Sequence, residues 1–284
     1  MQLREFYNLF LTELKPLYGY GETSAVSAMI FEHFVGKSKG DIIIDPHHII
    51  EKEKVSLLEN ALLQLKRQVP VQYVIGHAWF AGLKFKVSPA VLIPRPETEE
   101  LVKEVVSYIK TNGNSSLLDI GTGSGCIPIT VKKEFPETNV SAIDISGDAL
   151  SVARENALAN NVTIQWLQQD FLEAHHWERL SQYDVIVSNP PYIPENEKEL
   201  LDANVTAHEP HIALFVSDKR ALIFYEKIAA FGAEHLAKNG CIFMETHEFF
   251  ANEVGLYFSG AGYKTVIKKD IFGKERMVMA SLSR

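Results

Sequence analysis

Asp119-Ile120-Gly121-Thr122-Gly123-Ser124-Gly125 sets a carboxylate directly ahead of three alternating glycines, where the apolar run Leu117–Ile120 gives way to a helical pattern. Glycines so spaced let the backbone approach a ligand closely, and the helix beyond them points its positive end at that ligand. Asp144 closes the next apolar run, where a carboxylate can accept hydrogen bonds from ribose hydroxyls. Asp170-Phe171 follows the third run and offers a carboxylate and an aromatic face to a flat base such as adenine. A dinucleotide fingerprint would carry glycine where this chain has Cys126, and Asp119 would repel a pyrophosphate. The same carboxylate suits a ligand with a cationic end, such as the sulfonium and ammonium of S-adenosylmethionine. A turn that merely needs glycine explains the loop, but not three carboxylates at successive strand ends.

Asn189-Pro190-Pro191-Tyr192 follows the buried run Val185–Val187 and Ser188. Two successive prolines fix φ and remove two N–H donors, so the turn presents acceptors: the Asn189 side-chain oxygen and the Pro190 carbonyl. Tyr192 adds a flat face. Such a site fits a planar –NH2 group, whose two N–H donors meet two acceptors. The lone pair of an amide or aryl amine is delocalised, and accepting both of its hydrogens keeps electron density on the nitrogen as it attacks a methyl group.

These segments need elements to carry them. From Ser116 onward short apolar runs alternate with helical stretches, notably 148–160, 219–238 and 249–258. That alternation predicts a mostly parallel sheet covered on both faces, closed by an antiparallel hairpin around Gly273. Ligands of such sheets bind at the carboxyl ends of the strands. Before it, Phe80, Leu83, Phe85 and Val87 with Gly82 predict a β-hairpin, and Leu101, Val102, Val105 and Ile109 a helix. The first seventy-odd residues show only helical periodicity. Leu3, Phe6, Tyr7, Phe10, Leu11 and Leu14 make one stripe; Thr23 or Ser24 is expected to cap a second helix, and Asp45-Pro46 to open another. Leu57, Leu58, Ala61, Leu62 and Leu65 continue to Pro70. The expected organisation is a helical bundle over 1–75, a hairpin linker over 76–95 and a catalytic domain over 96–284.

The 284 residues are 46% hydrophobic and 23% charged, with a net charge of −8, which excludes a disordered chain and disfavours binding driven by nucleic-acid phosphates. Cys126 and Cys241 form no metal or disulfide pattern, and a cytoplasmic, soluble protein is expected. Of the ten histidines, His47-His48 and His175-His176 are adjacent and diverge, and His208 with His211 lacks a third ligand, so no metal site is expected. Glu195–Glu199 reads as a solvated loop or a mobile lid. Arg95 is placed to contact substrate or to pair with Glu97 or Glu99.

The chain resembles the peptide chain release factor glutamine methyltransferases, the HemK/PrmC family. The resemblance rests on 70–76 (Pro-Val-Gln-Tyr-Val-Ile-Gly), 93–99 (Ile-Pro-Arg-Pro-Glu-Thr-Glu), Asp119 to Gly125, and 187–193 around Asn189-Pro190-Pro191-Tyr192, with Tyr225 and Lys269-Asp270 as further points of likeness. It implies a class I S-adenosylmethionine-dependent methyltransferase fold, Rossmann-like, with a seven-stranded sheet. It also implies transfer of a methyl group to the side-chain nitrogen (N5) of the glutamine in the Gly-Gly-Gln loop of release factors; a monomer is expected. With the residue chemistry above, the cofactor set is Asp119, Gly121, Thr122, Gly123, Ser124, Gly125, Asp144, Asp170, Phe171 and Asn189. Asn189, Pro190 and Tyr192 are the expected catalytic residues, and Asn189 to Tyr192 with Arg95 the expected substrate contacts. Two stretches depart from the family pattern: Glu245-Thr246-His247, where glycine usually follows Glu, and Ser217-Asp218-Lys219-Arg220, where glycines are usual. A DNA adenine N6-methyltransferase shares Asn-Pro-Pro-Tyr but should carry a basic recognition region, which is not visible here. A non-catalytic adaptor would have no need of Asp119, Gly121, Asp144 and Asn189 together.

Overall fold

A computed structural model describes residues 1–113 and 115–283. The chain forms two compact units: Met1–His77 with Asp202–His208, and Ala78–Leu201 with Glu209–Arg284.

In the first unit the apolar stripe of the N-terminus lies on a long helix, Leu3–Val35, kinked at Gly19, where φ is 71°. The expected break at Thr23 or Ser24 is absent. The helix resumes directly after Gly19, and the Thr23 hydroxyl donates back to the Gly19 carbonyl instead of capping a new start. Phe6, Phe10 and Phe31 meet edge to face, with centroids 5.2–6.1 Å apart, and share a core with Leu58, Ala61 and Leu65 of the Lys52–Lys66 helix. Asp45 does not open a helix. Ser38 and Asp41 form a capping box that starts Lys39–Ile44, and Asp45 ends it. An aspartate before proline fits either helix terminus, and here the reciprocal Ser38–Asp41 pair decides. The 202–208 segment, expected with the catalytic fold, joins this unit, and His208 Nε2 lies 3.1 Å from the Arg67 carbonyl.

In the second unit seven strands form one sheet in the order Tyr263–Lys269, Glu275–Leu282, Leu236–Glu245, Tyr183–Ser188, Ser116–Ile120, Asn139–Asp144, Gln165–Gln168. The last five pair in parallel, and Glu275–Leu282 is antiparallel to both its neighbours. One face is covered by a cluster including Leu101, Val105, Ile129 and Phe243, the other by one including Tyr225, Phe231, Met244 and Phe258. The hairpin His77–Phe80 and Leu83–Lys86 turns at Ala81-Gly82 and places Phe80 and Phe85 in the first of these clusters. The chain enters the sheet at Ser116–Ile120, builds outward twice, and then crosses to the other side at Tyr183–Ser188. The topological switch therefore lies between these two strands, where open α/β sheets bind ligands. Among the described residues no helix is long and apolar enough to cross a membrane.

Candidate active site

Strand register brings the predicted residues to one edge. Ile120 pairs with Ile143 on one side and with Ser188 on the other. Gly121, Asp144 and Asn189 therefore leave three adjacent strands at the same level. The loop turns back at once: the N–H groups of Gly121 and Thr122 both donate to the Ile143 carbonyl, at 2.9 and 3.0 Å. Gly121 and Gly123 adopt φ of 75° and 54° with open space where a Cβ would stand. Gly125 is needed twice over, since its φ is 79° and a Cβ would lie 3.0 Å from Ile129 and 3.2 Å from Ala153 and Trp166.

Asp144 Oδ2 accepts from the Gly123 N–H at 2.8 Å, and Oδ1 from the Ser146 N–H at 2.9 Å. Ser146 in turn caps the Gly147–Ala159 helix. Burial pushes the Asp144 pKa up, opposed by these backbone donors. Asp170 Oδ1 accepts from the Leu172 N–H at 2.9 Å, and the Phe171 ring packs against Trp177 and Phe231. A cleft of about 340 Å³ runs along these strand ends. Its lining includes Gly121, Gly123, Asp144, Asp170, Phe171, Asn189 and Pro191; Asp119, Thr122, Ser124, Gly125, Pro190, Tyr192 and Arg95 are not among its lining residues.

Asp119 is fully buried, and neither carboxylate oxygen has a hydrogen-bond partner. The Thr122 hydroxyl lies near enough to lower its pKa but without closing a hydrogen bond. Burial dominates, with the Asp144 charge adding to it, and Asp119 is pushed up to about 7. An orphaned buried carboxylate one residue before the cleft wall fits a ligand with a cationic end, so these residues fit S-adenosylmethionine. A folded-state pKa above the ordinary 3.8 means that the folded chain favours the acid form. That stability is fully present below about pH 4 and is lost as pH rises through about 7. Asp119→Asn is therefore expected to gain stability relative to the parent between pH 5 and pH 8, by up to about 3 kcal/mol without cofactor, while losing cofactor affinity. Denaturant midpoints at the two pH values test this; parallel shifts of both proteins would contradict it.

Asn189 donates from Nδ2 to Thr98 Oγ1 at 3.0 Å, and the Tyr192 hydroxyl donates to Glu245 Oε1 at 3.0 Å. Arg95 pairs with neither Glu97 nor Glu99. It pairs with Glu209, a buried carboxylate that also accepts from the Ile93 N–H at 3.1 Å. The sequence reading missed Thr98, Glu209, Glu245 as a partner, and Asn156. The buried Asn156 amide donates to the Ser124 carbonyl at 2.9 Å and exchanges hydrogen bonds with the Lys86 backbone, tying the glycine loop to the hairpin.

Residues 100–212 match the model of the methyltransferase small domain, and residues 12–76 that of the PrmC N-terminal domain. A release factor glutamine methyltransferase of Flavobacterium psychrophilum is 38% identical, covering 98% of each chain, and one of Bacteroides thetaiotaomicron is 40% identical, covering 94% of this chain and 96% of that one. The chain belongs to the release factor glutamine methyltransferase family. It is an S-adenosylmethionine-dependent methyltransferase. The fold agrees: a methyltransferase of Pyrococcus furiosus matches with a TM-score of 0.51 at 18% identity, covering 78% of this chain and 98% of that one. A ribosomal protein L11 methylase of Lactobacillus delbrueckii matches at 0.50 and 18%, covering 69% and 83%.

Both departures from the family pattern meet at one place. His247 Nε2 lies 3.2 Å from Glu197, and Asp218 accepts from the Asn196 N–H at 3.0 Å. The segment after Tyr192 is thus folded as a short 3₁₀ turn, Glu195–Leu200, held by both stretches, while Ile193–Pro194 pairs with Phe215–Val216.

Proposed function

We propose that this member of the family methylates the side-chain amide nitrogen of the glutamine in the Gly-Gly-Gln loop of release factors, with the Asn189 turn as the amide clamp. The observation that carries the proposal is the placement of that turn on the strand beside the glycine loop and the orphaned Asp119. S-adenosylmethionine, when bound, supplies an electrophilic methyl on a sulfur that already bears the positive charge. Asp119 would offer that ligand's cationic end a counter-charge, Asp144 would hold its sugar side, and Asp170 with Phe171 would flank its base. Asn189 Oδ1 and the Pro190 carbonyl accept the two amide hydrogens of the substrate, and so orient the nitrogen lone pair toward the methyl group; as the nitrogen–carbon bond forms the carbon–sulfur bond breaks, a neutral thioether leaves, and one amide hydrogen departs as a proton to solvent. Pro191 forms part of the cleft wall. Arg95, half-committed to Glu209, remains the proposed contact to the substrate chain. The rival DNA adenine reading is not favoured by the relatives. We further propose that the enzyme acts as a monomer in the cytoplasm, where its two free buried cysteines stay reduced.

A glutamine amide occurs in every protein, so the clamp alone cannot select one. The helical unit, 1–75 in our proposed division, is assigned to recognise the folded release factor. Removing it is expected to raise KM for the folded protein much more than for a Gly-Gly-Gln peptide. Because 202–208 loses its packing partners in that truncation, cofactor affinity is measured alongside. Equal rises in KM with cofactor binding intact would assign the unit to stability.

A further inference from the structure

Ser188 pairs in register with Met244, so Asn189 and Glu245 emerge side by side from neighbouring strands. Thr98, in the first turn of the Pro96–Asn112 helix, stands between them. Its hydroxyl donates to Glu245 Oε2 at 2.7 Å, and its oxygen accepts from Asn189 Nδ2 at 3.0 Å. The other oxygen of Glu245 takes the Tyr192 hydroxyl at 3.0 Å. Thr98 and Glu245 are both buried, and the Tyr225 hydroxyl secures the Glu245 backbone carbonyl at 3.0 Å.

Direction matters in this chain of bonds. A hydroxyl has one hydrogen, and an ionised carboxylate only accepts; burial raises the Glu245 pKa, and the Thr98 and Tyr192 hydroxyls with the Arg276 charge oppose it and favour the ionised form. Thr98 spends its hydrogen on Glu245 and can therefore only accept from Asn189. The amide must turn its NH2 toward Thr98, which leaves Oδ1 as the end free to meet a substrate N–H. With the wire cut, the amide is free to turn over, and it then sets its own donors against the donors of the substrate.

We propose that Glu245 and Thr98 are positioning residues that fix which end of the Asn189 amide faces the substrate nitrogen. This rests on the assignment of Asn189 as the amide acceptor. The Glu245 end of the wire is anchored independently through Tyr192, so the polarity is set inside the protein before any substrate arrives.

The test compares Thr98→Val, Thr98→Ser, Glu245→Met and Asn189→Ala in the full chain, with release factor as substrate and calorimetric cofactor affinity. Thr98→Val removes the hydroxyl at nearly constant volume and is expected to lower kcat about ten- to a hundredfold, with cofactor Kd changed less than about twofold. Thr98→Ser keeps the wire and is expected to recover kcat to within about threefold of the parent. Glu245→Met removes the acceptor of the Thr98 hydrogen at nearly constant volume, and is expected to reproduce the kcat loss even if the valine variant folds poorly. The double variant Thr98→Val/Asn189→Ala is expected to be no slower than Asn189→Ala alone. Serine falling as far as valine would make Thr98 a packing residue and overturn the inference. Parental kcat in Thr98→Val, with Asn189→Ala inactive, would overturn the inference and leave the clamp standing. Parental kcat in Asn189→Ala would remove the clamp and the inference with it.

Discussion

Asn189→Ala is expected to reduce kcat about 10²–10³-fold while leaving cofactor affinity nearly unchanged. The asparagine lines the cleft beside Gly121 and is held by Thr98 from behind. It is therefore preorganised, and an alanine supplies no acceptor for the substrate nitrogen as charge develops on it. Loss of one preorganised partner in a dry site costs far more than the same bond would in water, because no solvent molecule takes the vacated place in the right orientation. Cofactor affinity rests on the neighbouring strand ends, so binding and turnover separate in this variant. Steady-state kinetics with release factor, paired with calorimetry, measures both. Near-normal turnover would contradict the assigned role.

Asp144→Ala is expected to act on binding rather than on turnover. Each Asp144 oxygen already accepts one backbone N–H, from Gly123 and from Ser146, and each retains a second lone pair. The carboxylate thus holds the glycine loop and the start of the next helix while presenting acceptors to a ribose. Alanine removes the charge-assisted bonds to the ligand, worth about 1.5–3 kcal/mol, or roughly ten- to a hundredfold in Kd. It also frees Gly123 N–H, which loosens the loop that carries the rest of the site. Calorimetry on folded protein is the measurement; unchanged affinity would take Asp144 out of the cofactor site.

The strand ends were legible because each carries a chemical mark within a few residues of an apolar run. Asp119 before its glycines, Asp144, Asp170-Phe171 and Asn189-Pro190 could be placed without knowing the order of the strands. Thr98 and Glu245 could not. Thr98 reads as an ordinary first-turn residue of a helix, and Glu245 as the last residue of a strand. They become partners only because the Leu236–Glu245 strand lies next to Tyr183–Ser188, and strand order is not written in any local pattern. Glu209 was hidden in the same way, since its partners Ile93 and Arg95 stand far upstream. The Leu236–Glu245 strand itself begins earlier than its apolar run, Cys241–Met244, suggests. The helical stretch read over 219–238 ends at His235, and pairing of Leu236 with Tyr183 starts the strand there, with a register shift. In the helical unit the chain turned at Gly19, with no polar cap, so the capping rule that pointed to Thr23 had nothing to act on.

The identity of the methylated atom decides between a protein and a nucleic-acid substrate. The direct measurement is mass spectrometry of release factor and of DNA, each incubated with this enzyme and isotopically labelled S-adenosylmethionine. One labelled methyl per release factor is expected, on the side-chain nitrogen of the glutamine in the Gly-Gly-Gln loop, absent when Asn189→Ala replaces the parent enzyme, with no label in DNA. Label on adenine, or on a release factor residue other than that glutamine, would contradict it.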